Sequence, residues 1–215
     1  MIRIVGKEAA VANVKLFLDF WNFQLGWNDY MTPDRRSSGQ QPVKILWKDV
    51  PSVLIAELPT ILGPGIPYVY KGARIYASVN PAQGGKDEGL KKFLHNVLGQ
   101  MTGFQVAVRD RRPKKDRCPH CKEEIHGTVE KGVDSLIVSD LFEGAINDAY
   151  DVAILLSNDS DFAPAVRTIQ ERLNKQVIHV GFRYGGNEIR TACWGHVILD
   201  GAVCNKLRDP AGLST

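Results

Sequence analysis

Residues 152–162 read VAILLSNDSDF: five apolar residues that run directly into Ser157-Asn158-Asp159-Ser160-Asp161-Phe162. A short, wholly apolar run suits a parallel strand buried on both faces, and the polar residues after it emerge at the strand's carboxyl end. Downstream, the pattern predicts a helix through Arg172, a strand at Val177 to Gly181 and a short helix near Asn187 to Trp194. Upstream, Val133, Leu136, Ile137, Leu141, Ala145 and Ile146 recur at helical intervals behind Gly132, predicting a helix from Val133 to Ala149. Further back come a strand at Phe104 to Val108, a helix at Lys86 to Leu98 and a strand at Arg74 to Val79. A helix opening near Pro51 in WKDVPSVLIAEL, a turn-rich stretch with PDRRSSGQQP and a first strand, VKLFLDF, from Val14 to Phe20 complete the series. Strands and helices alternate throughout. That order predicts an α/β fold, a Rossmann-like parallel sheet flanked by helices, with its working residues at the carboxyl ends of the strands where strand order reverses. Residues 1–215 are read as one domain, with a small inserted loop at about 109–130.

Asp19 closes the first strand, and Asp159 and Asp161 follow the strand at 152–156, so neighbouring placement of these strands would gather three carboxylates on one rim. Asp134, where Gly132-Val133 turns into a helix, could add a fourth. Crowded carboxylates repel and raise one another's pKa unless a divalent cation lies among them. Oxygen donors alone favour Mg²⁺ or Mn²⁺ over zinc. Such an ion can bind phosphoryl oxygens, activate water and stabilise the leaving oxygen, so phosphodiester hydrolysis needs no side-chain nucleophile. Asp and Ser also favour helix N-caps, and spacing alone does not separate the two roles.

Three segments carry a resemblance. FLDFWNF with Asp19 and Asn22, EKGVDSLIVSD with Lys131, Gly132, Asp134 and Asp140, and DVAILLSNDSDF resemble, in this order, the signature blocks of NYN domains in the PIN-like nuclease superfamily. The resemblance runs from the first strand to about Gly181. It implies a PIN-like fold and Mg²⁺- or Mn²⁺-dependent cleavage of RNA, internal in the sense of an endoribonuclease, with Asp19, Asp134, Asp159 and Asp161 as catalytic metal ligands and Asn22 in support. Asn158 stands where many members have Gly, a change that Asn's tolerance of left-handed backbone makes acceptable. Asp140 lies six residues beyond Asp134, which on a regular helix turns it about 120° away and about 9 Å along the axis. It is therefore a second-tier candidate, for a second ion or an oriented water. The alternative on the same fold is an inactive module that binds RNA or protein.

A net charge of +3 does not by itself imply a polyanionic partner. Its distribution is more telling: RDRRPKKDR places Arg109, Arg111, Arg112, Lys114, Lys115 and Arg117 against Asp110 and Asp116, a strip suited to phosphates of single-stranded RNA. A solvated loop would look the same. Trp21, Phe23, Trp27 and Tyr30 lie beside the expected rim, either stacking on bases or filling the core. Cys118-Pro119-His120-Cys121 follows the strip and resembles one knuckle of a structural zinc site. Two ligands are then missing, for which His126 is nearest and His95, Cys193, Cys204 or a second subunit are remoter. Four cysteines are too few for a disulfide scaffold, and the charges before Val14 disfavour a secretion signal, so a cytoplasmic setting is expected, with oligomeric state open. No Walker-type loop or GxGxxG fingerprint is present, and Trp21 occupies the place of the second Asp that an aspartyl-phosphate phosphatase needs.

Overall fold

The computed structural model describes residues 11–34, 41–81 and 86–210; most of PDRRSSGQQP lies outside the described residues. Six strands form one parallel sheet: β1 (Ala12–Asp19), β2 (Tyr68–Val79), β3 (Phe104–Asp110), β6 (Val152–Leu156), β7 (Gln176–Gly181) and β8 (Gly195–Ile198). Their order is β3-β2-β1-β6-β7-β8, and each neighbouring pair runs parallel. The chain starts in the middle, builds outward through β2 and β3, and then crosses back to β6 and builds the other half. The reversal of strand order therefore falls between β1 and β6.

Period-two alternation decides what covers each face. Val14, Leu16 and Leu18 of β1 and Val152, Ile154 and Leu156 of β6 enter one core, shared with helices α1 (Phe20–Met31), α2 (Val50–Ile55), α3 (Leu58–Leu62), α4 (Lys86–Asn96) and α8 (Gly201–Leu207). Phe17, Ala153 and Leu155 point the other way, into a core made with α5 (Val133–Ile146), α6 (Ala163–Leu173) and α7 (Asn187–Ala192). Helices thus flank both faces of the sheet, as an α/β fold of PIN-like class requires. All five residues of β6 are buried, the reason for its unbroken apolar run.

Two elements differ from the sequence expectation. The insertion is not an irregular loop: β4 (Arg112–Arg117) and β5 (Glu124–Val129) pair antiparallel into a two-stranded arm outside the main sheet, with Cys118 to Glu123 at its tip. Beyond α7, β8 and α8 extend the sheet edge and its cover; α8 is capped by Asp200, whose Oδ1 accepts from the backbone of Ala202 and Val203 at 2.9 and 3.1 Å. Among the described residues no helix is long and apolar enough to cross a membrane.

Candidate metal centre and nucleic-acid surface

The β1 and β6 registers put Leu18 beside Leu156, so Asp19 and Ser157 leave the sheet side by side at its carboxyl edge. Asp19 caps α1: its Oδ1 accepts from the backbone N–H of Asn22 at 3.2 Å, while Oδ2 accepts from the Ser157 hydroxyl at 3.4 Å. The Asn22 side chain reaches back, its Oδ1 accepting from the backbone N–H of Asn158 at 2.8 Å. These contacts lock the first turn of α1 to the turn after β6. In that turn Asp159 accepts from the backbone of Asp161 through Oδ1 at 2.9 Å. Capping is therefore real for both aspartates, each through one oxygen, and the second oxygen of Asp19 takes the Ser157 hydroxyl.

Electrostatics join these groups to α5. Burial pushes Asp19 up to about 6, with the charges of Glu130 and Asp134 adding to the rise against the Asn22 and Ser157 hydrogen bonds. Asp134 stands in the first turn of α5, where Gly132 takes a left-handed φ of 85°. Its carboxyl is also raised, first by desolvation and then by Asp159, Glu130 and Asp161. Asp19, Asp134, Asp159 and Asp161 therefore share one acidic rim, with Glu130 among them. Glu130 was not singled out from sequence, although it opens the EKGVD block; it bonds to the Ser78 hydroxyl and lies 3.7 Å from Arg111.

Among the described residues no three acidic, imidazole or thiol groups close round a common point as a metal cage would. The donor chemistry still fits a hard cation, because Mg²⁺ commonly takes one or two carboxylates and fills its shell with water and substrate phosphates. Mutual repulsion is what such an ion would relieve.

Asp140 is placed elsewhere. It is buried halfway along α5, 3.0 Å from Arg74 and accepting from the Tyr76 hydroxyl at 2.7 Å, so its charge is used to tie α5 to β2 over the sheet face. Of the aromatics, Phe23 and Trp27 are core residues. Trp21 is half-buried at the rim, donating from Nε1 to Ser78 O at 2.7 Å with Arg111 over its ring. Tyr30 packs on Phe182, and Tyr184, unremarked in the sequence, is 84% exposed in the loop after β7.

His179 was also missed, although a histidine inside VIHVG is an unusual guest in a buried strand. It is fully buried on β7 with Nε2 3.1 Å from Asn158 Oδ1, and burial, reinforced by Arg190 and His196, depresses it to about 4. Asn158 fits because position 181 is glycine: a Cβ there would meet Asn158 Oδ1 at 1.9 Å.

The basic strip divides. Lys114 pairs with Asp116 and Lys115 with Glu124, each at 2.9 Å. Arg109, Arg112 and Lys131 instead line a cleft of about 550 Å³ that reaches Gly132 and Ser135, on either side of Asp134 in sequence. Arg117 lies exposed at the far end of the arm.

At the arm's tip, the backbone N–H groups of Cys121 and then His120, with the Cys121 thiol, hold Cys118 below the usual thiol range. The other candidate zinc ligands are not brought there. His126 pairs in register with Lys115 along the arm, and Cys193 and Cys204 are buried in opposite cores, where burial pushes both thiols up to about 12. His95 sits on α4.

A family model of the NYN domain matches residues 65–200, which include the second and third sequence blocks and every described residue of the rim except those of β1 and α1. The chain belongs to the NYN domain family. Its first block, with Asp19 and Asn22, precedes the matched segment and is joined to the rest of the NYN rim by the β1–β6 pairing. A protein of unknown function from Vibrio parahaemolyticus RIMD 2210633 has a similar structure, with a TM-score of 0.56 and 21% identity over 91% of this chain and 97% of that one. At that identity the likeness concerns the fold. No curated protein matches the sequence.

Proposed function

We propose that this NYN domain is a metal-dependent ribonuclease that hydrolyses RNA phosphodiester bonds internally. The observation that carries the reading is the gathering of Asp19, Asp159 and Asp161 around Asp134, whose charge each of them meets, at the edge where strand order reverses. A Mg²⁺ or Mn²⁺ ion held there would supply Lewis-acid activation of phosphate and water. The chain's own residues do the rest. Asn22 and Ser157 orient Asp19 and fix the turn that bears Asp159. Arg109, Arg112 and Lys131 give the RNA backbone a cationic path to Asp134, and Trp21 and Tyr184 offer ring faces to unpaired bases. Four cysteines, all of them free, suit a reducing compartment, and we assign the protein to the cytoplasm.

Asp159→Asn tests the reading. Asn can still accept the Asp161 N–H, so the cap survives, whereas a cation loses a charged ligand. We expect an unchanged melting temperature within a few degrees, RNA affinity in Ca²⁺ near wild type, and single-turnover cleavage in Mg²⁺ or Mn²⁺ reduced by at least about a hundredfold. Equal rates for variant and wild type would overturn the assignment and leave an RNA- or protein-binding module in its place.

A further inference from the structure

The arm carries a feature that RNA cleavage does not use. All six residues of β4 are exposed, as are the first four of β5, so the ribbon projects from the body and packs chiefly on itself. A two-stranded ribbon is marginal on its own in water. Its tip is nonetheless well formed. Cys118 N donates to Glu123 O at 2.9 Å, Lys122 N donates to Cys118 O at 3.0 Å, and Lys122 takes a left-handed φ of 64° to close the turn. The turn closed by these bonds carries Cys118 and Cys121 at the tip of one hairpin, and the Cys121 thiol donates to a carboxylate oxygen of Glu123 at 3.7 Å. The turn thus presents two sulfurs in the manner of a zinc knuckle.

A closed structural zinc site needs four ligands, and among the described residues the tip brings two thiols together. His126 lies two residue pairs back from the Arg117–Glu124 pair, about 7 Å along the strand, facing Lys115 and Glu124. Cys193 and Cys204 are held in the cores. The missing pair must come from another molecule, and a second arm has the right chemistry. Zinc with four thiolates carries a net charge of about −2, which the exposed Arg117 and Lys122 of two tips would offset. A two-fold contact between identical tips is self-complementary, and Ile125, 51% exposed beside the tip, would gain a cover.

We propose that two copies of this chain join through their arms, each giving Cys118 and Cys121 to one tetrahedral zinc ion. Four thiols lose their protons to solvent as the ion binds, and no electron transfer is involved. This inference is independent of the nuclease reading.

The test uses the full chain, reduced and stripped of metal, titrated with Co²⁺ as a coloured stand-in for Zn²⁺. Saturation is expected at about one ion per two chains, with the absorption of a tetrahedral four-thiolate ion. The mass by light scattering should rise from 23.8 kDa to twice that value, and a chelator should reverse both changes. Cys118→Ser and Cys121→Ser should each abolish the colour and the dimer while circular dichroism and melting of the metal-free protein stay unchanged, since neither residue touches a core. The proposal is overturned by one ion per chain at constant mass, by loss of the colour in His126→Ala, by a dimer that persists in the Cys variants, or by no metal uptake.

Discussion

Asp19 and His179 are both buried, on strands separated by β6, and their protons act on stability in opposite directions. Between pH 6.5 and about 4 an unfolded His179 takes up a proton that the folded one refuses, so acidification through that window costs stability. Between about 6 and 3.8 a folded Asp19 holds a proton that the unfolded one has lost, so acidification adds stability and a rise in pH removes it. Each effect is on the order of 3 kcal/mol, and in the wild type they largely offset one another. Urea unfolding of metal-free protein from pH 4 to 7.5 should therefore separate them. Asp19→Asn becomes the more stable protein near pH 7.5 and loses stability steeply on acidification; His179→Gln shows the reverse slope. Parallel profiles for all three proteins would contradict the described environments. The position of Asp19 at the carboxyl edge of the sheet was legible in the sequence because it ends an apolar run, although its cap on α1 and a role toward a cation look alike there. His179 and Glu130 were not, since their roles depend on partners on other elements: Asn158 for the first, Ser78 and Arg111 for the second.

The elements of the main sheet could be read because parallel strands buried on both faces leave continuous apolar runs, and the helices between them leave a 3.6-residue period. The arm could not. RPKKDR has no apolar alternation to mark a strand, because neither of its faces meets a core; cross-strand pairing alone makes it β structure. β8 has four residues and α8 has seven, too few to establish a period. Asp140 closes a signature block yet serves to join α5 to β2, a use that only the approach of Arg74 and Tyr76 reveals. Separation of the arm from both cores predicts that it can be shortened. Joining Pro113 to Thr128 through a two-residue Asn-Gly turn, whose geometry suits a hairpin, should leave the melting temperature within a few degrees. RNA affinity should fall less than removal of four cations, Lys114, Lys115, Arg117 and Lys122, suggests, because Lys114 and Lys115 are already paired and Asp116, Glu123 and Glu124 leave with them, and the salt slope should flatten by about one charge. A loss of several charges' worth of slope would place RNA along the arm and not in the cleft of Arg109, Arg112 and Lys131.

At the scale of the whole molecule, the arm occupies the crossover between the two halves of the sheet, after β3 and before α5. Everything before its tip builds β1, β2 and β3; everything after builds β6, β7 and β8. Trypsin acting at the exposed Arg117 or Lys122 should nick the tip before it opens either core, and the β1–β6 pairing should hold the pieces together through gel filtration. Immediate separation of the pieces in native buffer would show that the sheet depends on the intact connection. A divided molecule of this kind puts Asp19 on one fragment and Asp134, Asp159 and Asp161 on the other. Neither fragment owns the acidic rim, so mixing the two separately made halves becomes a complementation experiment in which recovery of the proposed divalent-ion binding reports that the central seam of the sheet has re-formed.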